Sequence, residues 1–244
     1  VDGMRLDRGF IDPYFVEDSA KNRTVYQNPL IAVIDDDLTH YQDVLSPLQK
    51  AAETKRPLVI IAKSITETAL QTIALNHSRG VQRTIIVRAP GFGDIRRDMM
   101  NDVAMVTGAK LFTEDEGSKF SDGTIEDFGS CKKITVYQNH TEIIEGSGDK
   151  DKVLAFSKDL KKQLEYEGLF DYQIASIRQR ISSLSGSVAV LKVGGITESE
   201  MRERKDRIED SINSVKAAID EGIVCGGGSA LLHCVNKLKE YDYS

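Results

Sequence analysis

Leu58-Val59-Ile60-Ile61-Ala62, then Ser64-Ile65-Thr66-Glu67, then Thr84-Ile85-Ile86-Val87 decide the fold class of this 244-residue chain. The first and last runs are continuous, apolar and rich in β-branched residues, as in strands buried on both faces. Between them lies a helical pattern. Ser64–Glu67 reads as a capping box, and Gly80 stands where a C-terminal cap belongs. Upstream, Leu30–Ile34 is another buried strand, followed by the turn-prone Asp35-Asp36-Asp37. Helical segments separate these strands, which makes the fold α/β, strands layered with helices. Downstream, Ile134–Tyr137 and Thr141–Ile144 read as a hairpin around Asn139-His140.

From Asp149 to about Leu184 the chain is mostly helical and highly charged, with Gly168 marking a break. This pattern predicts an antiparallel helix pair packed on the sheet. A strand over Val188–Val193 follows, then a long helix opened by the capping box Thr197-Glu198-Ser199-Glu200 and closed by Gly222. Its apolar stripe is Met201, Ile208, Ile212, Val215 and Ile219, and the rest is charged, which suits a connector between domains.

Composition bounds the function. Hydrophobic residues make up 40% and charged residues 29%, an ordinary globular balance. The net charge of -6, with no long basic run, argues against nucleic acid as the main partner. No apolar run is long enough to cross a bilayer, and no signal peptide is present. The opening Val1-Asp2-Gly3, without Met, is read as the start of a piece of a longer protein. Cys131, Cys225 and Cys234 show no CxxC spacing, so neither a disulfide framework nor a zinc site is expected, and a reducing compartment is the simple reading. Three sequons, at Asn22, Asn76 and Asn139, are read as accidental.

Three stretches carry apolar residues that could serve either a core or a partner. Arg5–Phe15 (RLDRGFIDPYF) holds the rings of Phe10, Tyr14 and Phe15 in a segment broken by Gly9 and Pro13. It either plugs a core edge or faces a partner. The helix around Val44–Ala52 has Leu45 and Leu48 three apart, sharing a face, with Pro47 suited to a first turn. On the next helix Ile65, Ala69 and Ile73 form the face for the strands, while Leu70, Ala74 and Leu75 fall outside it. From spacing alone, core packing is the default for both helices.

Chemical sites are sparse. Gly226-Gly227-Gly228 before Ser229 is a glycine-rich turn entering a helix, where backbone can approach an anion, yet it lacks the Gly-Lys-Ser/Thr of a phosphate loop. Ala89-Pro90-Gly91-Phe92-Gly93-Asp94 follows a strand without the third glycine of a dinucleotide fingerprint, and reads as a structural turn. Asp210, on the long helix, has a solvated face as its default. The histidines at 40, 77, 140 and 233 show no metal-ligand spacing.

Taken in order, these pieces resemble one family. Asp7-Arg8-Gly9-Phe10 with Pro13-Tyr14-Phe15 comes first, and Arg56-Pro57 then runs into Leu58–Ala62. Ala89–Asp94, Val188-Ala189-Val190 with Lys192-Val193-Gly194, Arg207-Ile208-Glu209-Asp210, and Glu221–Val224 with Gly226–Gly228 follow. Order and spacing are similar to group I chaperonins, the GroEL type, over essentially the whole chain. The resemblance implies a polypeptide-binding apical domain over residues 1–187, the descending part of an intermediate domain over 188–221, and the start of an equatorial domain over 222–244.

It also implies roles. Phe10, Tyr14, Phe15, Leu45, Leu48, Leu70, Ala74 and Leu75 match the apolar rim that captures unfolded polypeptide and receives the mobile loop of the lid-forming co-chaperonin. Ala74 is smaller than the family's usual residue there. Asp210 matches the aspartate that helps activate the hydrolytic water, and Gly227 a backbone contact to nucleotide. Arg8 and Glu198 match a pair linking neighbouring subunits. Gly3 matches one hinge, and the second hinge, a Gly-Gly pair in the family, reads Gly186-Ser187 here. The family's phosphate loop and metal ligand belong to a segment before Val1, so ATP and Mg2+ are expected to serve the full-length parent, a ring of seven. The piece alone is expected not to hydrolyse ATP. The compartment implied is bacterial cytoplasm, mitochondrial matrix or plastid, not a secreted one. Competing readings are a nucleotide-dependent α/β enzyme, for which no base or nucleophile can be assembled, and a divergent subunit with a mainly structural role.

Overall fold

The computed structural model describes residues 2–166, 168–184 and 191–239. The chain divides into two compact units, residues 1–189 and 190–244. Gly186, Ser187 and Val188–Val190 lie outside the described residues.

In the first unit eight strands form one mixed sheet. β1 is Gly3–Leu6, β2 Arg23–Gln27, β3 Leu30–Leu38, β4 Leu58–Ile65, β5 Thr84–Arg88, β6 Leu111–Phe112, β7 Gly129–Tyr137 and β8 Thr141–Gly146. The helices are α1 Tyr41–Glu53, α2 Glu67–Ser78, α3 Gly93–Thr107, α4 Lys150–Gln163 and α5 Asp171–Leu184. β3, β4 and β5 are parallel neighbours, with Leu30 opposite Leu58 and Leu58 opposite Thr84. Two successive crossovers in one direction place α1 and α2 on the same face. The return crossover from β5 to β6, which pairs with β3, puts α3 on the other face, where α4 and α5 join it. Helices on both sides are why Leu30–Ile34 and Leu58–Ala62 are buried residue by residue.

The other half of the sheet is antiparallel. β1 pairs with β8, β8 with β7, and β7 with β2, in the hairpin the sequence predicts. β2 and β3 run along β7 as one strand interrupted at Asn28-Pro29, Gln27 facing Lys133 and Leu30 facing Ser130. Asn28 has a φ of 46° at the break. The Arg56 guanidinium spans it, donating to Asn28 O (2.9 Å), Asn28 Oδ1 (3.0 Å), Pro29 O (3.0 Å) and the Ser130 hydroxyl. A planar fork of five donors suits this cluster of acceptors.

Four local expectations are corrected. Asp35–Asp37 are not a turn but the end of β3, because each carboxylate has a partner. Asp35 pairs with Arg96 (2.7 Å), Asp36 accepts the Glu114 N–H (2.6 Å), and Asp37 accepts from Lys63 (2.9 Å) and the Ser64 hydroxyl. Ser64 therefore belongs to β4, and α2 starts at Glu67 after Thr66. Pro47 lies inside α1 rather than in its first turn, and it is buried. Leu191–Val193, the described part of the expected later strand, are not in a strand. The helix pair is as expected, and α4 and α5 pack on each other and on α3.

The junction of α3 and α5 is polar and buried. The Arg180 guanidinium donates to both oxygens of Asp102 (2.8 and 2.9 Å) and to Asp98 (2.9 Å), and lies over the Phe156 ring of α4 at 5.5 Å. Burial pushes the Asp102 carboxyl above its ordinary value, with Arg180 pulling the other way.

In the second unit, α6 (Glu198–Glu221) starts at the expected N-cap, Thr197 accepting the Glu200 N–H (3.2 Å), but Glu200 accepts the Ile196 N–H (3.0 Å) and not that of Thr197, so the reciprocal half of the capping box is not formed. It ends at Gly222, with a φ of 84°. The Gly226–Gly228 turn leads into α7 (Ser229–Lys239).

Candidate functional site

The candidate site is the outer face of α1 and α2 with the 3-10 turn Pro13–Phe15. α2 packs against α1 on one side and the turn on the other. Asp12 caps the turn, accepting the Tyr14 N–H (2.8 Å), and Pro13 pre-sets its first φ. Upstream the backbone is held to β5, Ile11 N–H donating to Ile86 O (2.9 Å) and Arg88 N–H to Gly9 O (3.1 Å). Gly9 is required by contact, since a Cβ there would lie 1.9 Å from Tyr137 O.

The structure splits the expected rim. Phe10, Phe15 and Leu48 are buried in the core. Tyr14 (54% exposed), Leu45 (38%) and Leu75 (48%) remain in water. Leu70 and Ala74 are half-buried, packed on the edge of the core. Leu45 and Leu48 do not share an environment. The buried stripe of α1 runs Val44, Pro47, Leu48, Ala51, and Leu45 sits just beyond its border. On α2, Ala69 and Ile73 are buried, as the spacing predicts, whereas Ile65, expected on the same face, ends β4 and is not on the helix.

Sequence reasoning missed three residues of this face. Tyr41 is exposed and lies one turn before Leu45, so an i,i+4 search from Leu45 would have found it. Val81 is exposed just after α2. His77, in the last turn of α2, sits edge-on to Phe15 at 5.5 Å and Tyr14 at 6.5 Å. Its Nδ1 accepts the Thr84 N–H at 3.1 Å. Burial lowers the His77 pKa from its ordinary value.

The other expected site residues lie elsewhere. Arg8 stacks on the exposed Phe92 ring at 5.2 Å. Gly3 faces Ile144 in β1 and lines a pocket of about 170 Å³ with Val106, Leu154 and Leu184. Glu198 pairs with Arg202 (3.3 Å) in the first turn of α6. Asp210 is exposed on α6, where its carbonyl accepts from Ser214 (2.9 Å). Gly227 is exposed with a φ of 64°. Gly186 lies outside the described residues. Among the described residues no His, Cys, Asp and Glu group could hold a metal ion, and no helix is long and apolar enough to cross a membrane.

The decisive comparison is at family level, where the TCP-1/cpn60 chaperonin family is matched over residues 1–244. The chain belongs to the TCP-1/cpn60 chaperonin family. A chaperonin chain acts in protein folding, on substrate polypeptides and within an oligomer.

Proposed function

We propose that this chain is the polypeptide-capturing part of a group I chaperonin, and that the face of α1, α2 and the Pro13–Phe15 turn takes up non-native polypeptide and the mobile loop of a co-chaperonin lid. One observation carries the reading. Tyr41 and Leu45 on α1 and Leu75 on α2 are exposed on helices that bury Val44, Ala51, Ala69 and Ile73, and Tyr14 of the turn and Val81 after α2 are exposed as well. Apolar contact at about 25 cal/mol per Å² asks for no particular sequence, so this face suits many clients held weakly. Phe10, Phe15 and Leu48 support it from beneath, and Leu70 and Ala74 form its floor.

The remaining assignments belong to the same reading. Residues 1–187 form the apical domain, 188–221 the descending intermediate segment and 222–244 the start of the equatorial domain. In the full-length parent, a ring of seven, Asp210 helps activate the hydrolytic water. Gly227 contacts ATP, bound with Mg2+, and Arg8 and Glu198 link neighbouring subunits. Gly3 and Gly186 serve as hinges. The setting is a reducing compartment, whether bacterial cytoplasm, mitochondrial matrix or plastid.

The test is binding of the chain to a reduced, unfolded protein. Leu45→Ser with Leu75→Ser removes two exposed leucines without opening the core. The expected outcome is a folded variant with binding weakened at least tenfold, since each lost leucine contact contributes about 1 kcal/mol or more. Equal binding by wild type and variant would sink the assignment.

A further inference from the structure

The outer edge of β5 is closed by two unlike devices. Toward its end, Gly9–Ile11 bonds to Ile86 and Arg88. Ile86 O and Arg88 N–H point outward, so by the two-residue period of a strand the Thr84 N–H does too. This donor is met by a side chain, with His77 Nδ1 accepting it at 3.1 Å. Leaving it open would expose a sheet edge.

That bond fixes the chemistry of the ring. A backbone N–H is always a donor. Nδ1 therefore keeps its lone pair, and the imidazole is neutral with its proton on Nε2. The same ring is the platform for Phe15 and Tyr14. One imidazole thus joins the last turn of α2, the start of β5 and the 3-10 turn. Protonation would place a second N–H against Thr84, and the bond would be lost.

The charged surroundings do not fix the outcome. Glu17, just after the turn, favours the imidazolium, and Arg83, just before β5, opposes it. The two are paired with each other at 2.9 Å. Tyr26 of β2 donates to Glu17 (3.2 Å) and lies beneath Arg83 at 5.0 Å. On α2 itself, Arg79 caps the helix two residues on, and the helix C-terminus favours a cation. Burial decides against the charge, which places protonation on the acid side of the ordinary histidine value.

We infer that His77 is a pH-operated catch. Neutral, it caps β5 and holds the Tyr14–Phe15 turn against α2; protonated, it lets both go and loosens one wall of the apolar face. The regulatory consequence rests on the capture reading, whereas the catch itself does not.

The experiment is an NMR titration of the 15N-labelled chain from about pH 7.5 to about pH 4.5. It follows the His77 ring nitrogens, the Tyr14 ring and amide exchange at Thr84. The expected result is the Nε2–H tautomer at neutral pH. On acidification, Thr84 protection falls roughly tenfold relative to Arg88, whose N–H is bonded to Gly9 O, with the midpoint of His77, as for loss of one hydrogen bond. The Tyr14 ring resonances shift with the same midpoint. In His77→Gln, a neutral acceptor, Thr84 protection stays constant over that range. An Nδ1–H tautomer at neutral pH would overturn the inference without any variant. So would a ring that stays neutral throughout, or a His77 titration that leaves Thr84 protected. Polypeptide binding at about pH 7.5 is read separately. If it is absent while the Thr84 and Tyr14 signals behave as stated, the capture reading fails and the catch stands.

Discussion

The two helical layers of this sheet differ in what they bury. On one face α3, α4 and α5 close over the strands, and at their junction Arg180 satisfies Asp98 and Asp102. On the other face α1 and α2 cover the strands equally well, yet leave Tyr41, Leu45 and Leu75 in water. The difference shows that exposed leucines here are not a sign of a poor core. Val44 and Ile73, on the same helices, are fully buried. What separates the layers is the buried Arg180 cluster and not apolar exposure, since Leu154 of α4 and Tyr172 of α5 are in water too.

The strongest way to break the comparison is Arg180→Leu. It leaves Asp102 buried without its cation, and the expected loss is about 3–5 kcal/mol in chemical denaturation. Replacing the pair together, Arg180→Met with Asp102→Leu, should recover most of that. A double variant as unstable as the single one would mean the junction depends on the charges themselves. On the other layer, Ile73→Ala should cost about 2–5 kcal/mol, whereas Leu75→Ala should change stability by less than about 0.5 kcal/mol. Equal costs would erase the distinction between the inner and outer sides of α2.

A smaller effect is pH-dependent. His77 has a lowered pKa in the folded state, so the unfolded chain binds the extra proton first. Its contribution is complete above the unfolded value of about 6.5 and is lost as pH falls from there to the folded pKa. His77→Gln should flatten that part of the stability-pH curve, and a curve of unchanged slope would remove His77 as its cause. The mildest test concerns thiols. Burial pushes the Cys131 thiol up to about 12, while Cys225 and Cys234 are exposed. A disulfide reagent should modify two thiols rapidly in the native chain and the third only on unfolding.

The buried side of this architecture was legible in the sequence. Runs such as Leu58–Ala62 announce strands covered on both faces, and Ala69 with Ile73 announce the inner side of α2. What failed depended on partners distant in sequence. Asp35–Asp37 look like a turn until Arg96, Glu114 and Lys63 arrive to pair with them. For the site, periodicity gives angles around a helix but not the border of its buried stripe. Leu45 and Leu48 differ by only 60° and still fall on opposite sides of that border. His77 carried no signal, because its meaning comes from the outward N–H of Thr84.

The first strand of this sheet has its place only beside the last. Gly3 to Leu6 pair with Thr141 to Ile144, and Gln27 and Leu30 flank a break held against Lys133 and Ser130. A chain emerging from the ribosome can therefore form the local β3–α1–β4–α2–β5 run early, but cannot close its antiparallel half until Gly146 is free. Until then β1 and β2 wait as unpaired strands, the kind of intermediate that aggregates. Between the synthesis of β2 and that of β8, this part of a chaperonin chain exposes the same unpaired strand edges as an unfolded polypeptide.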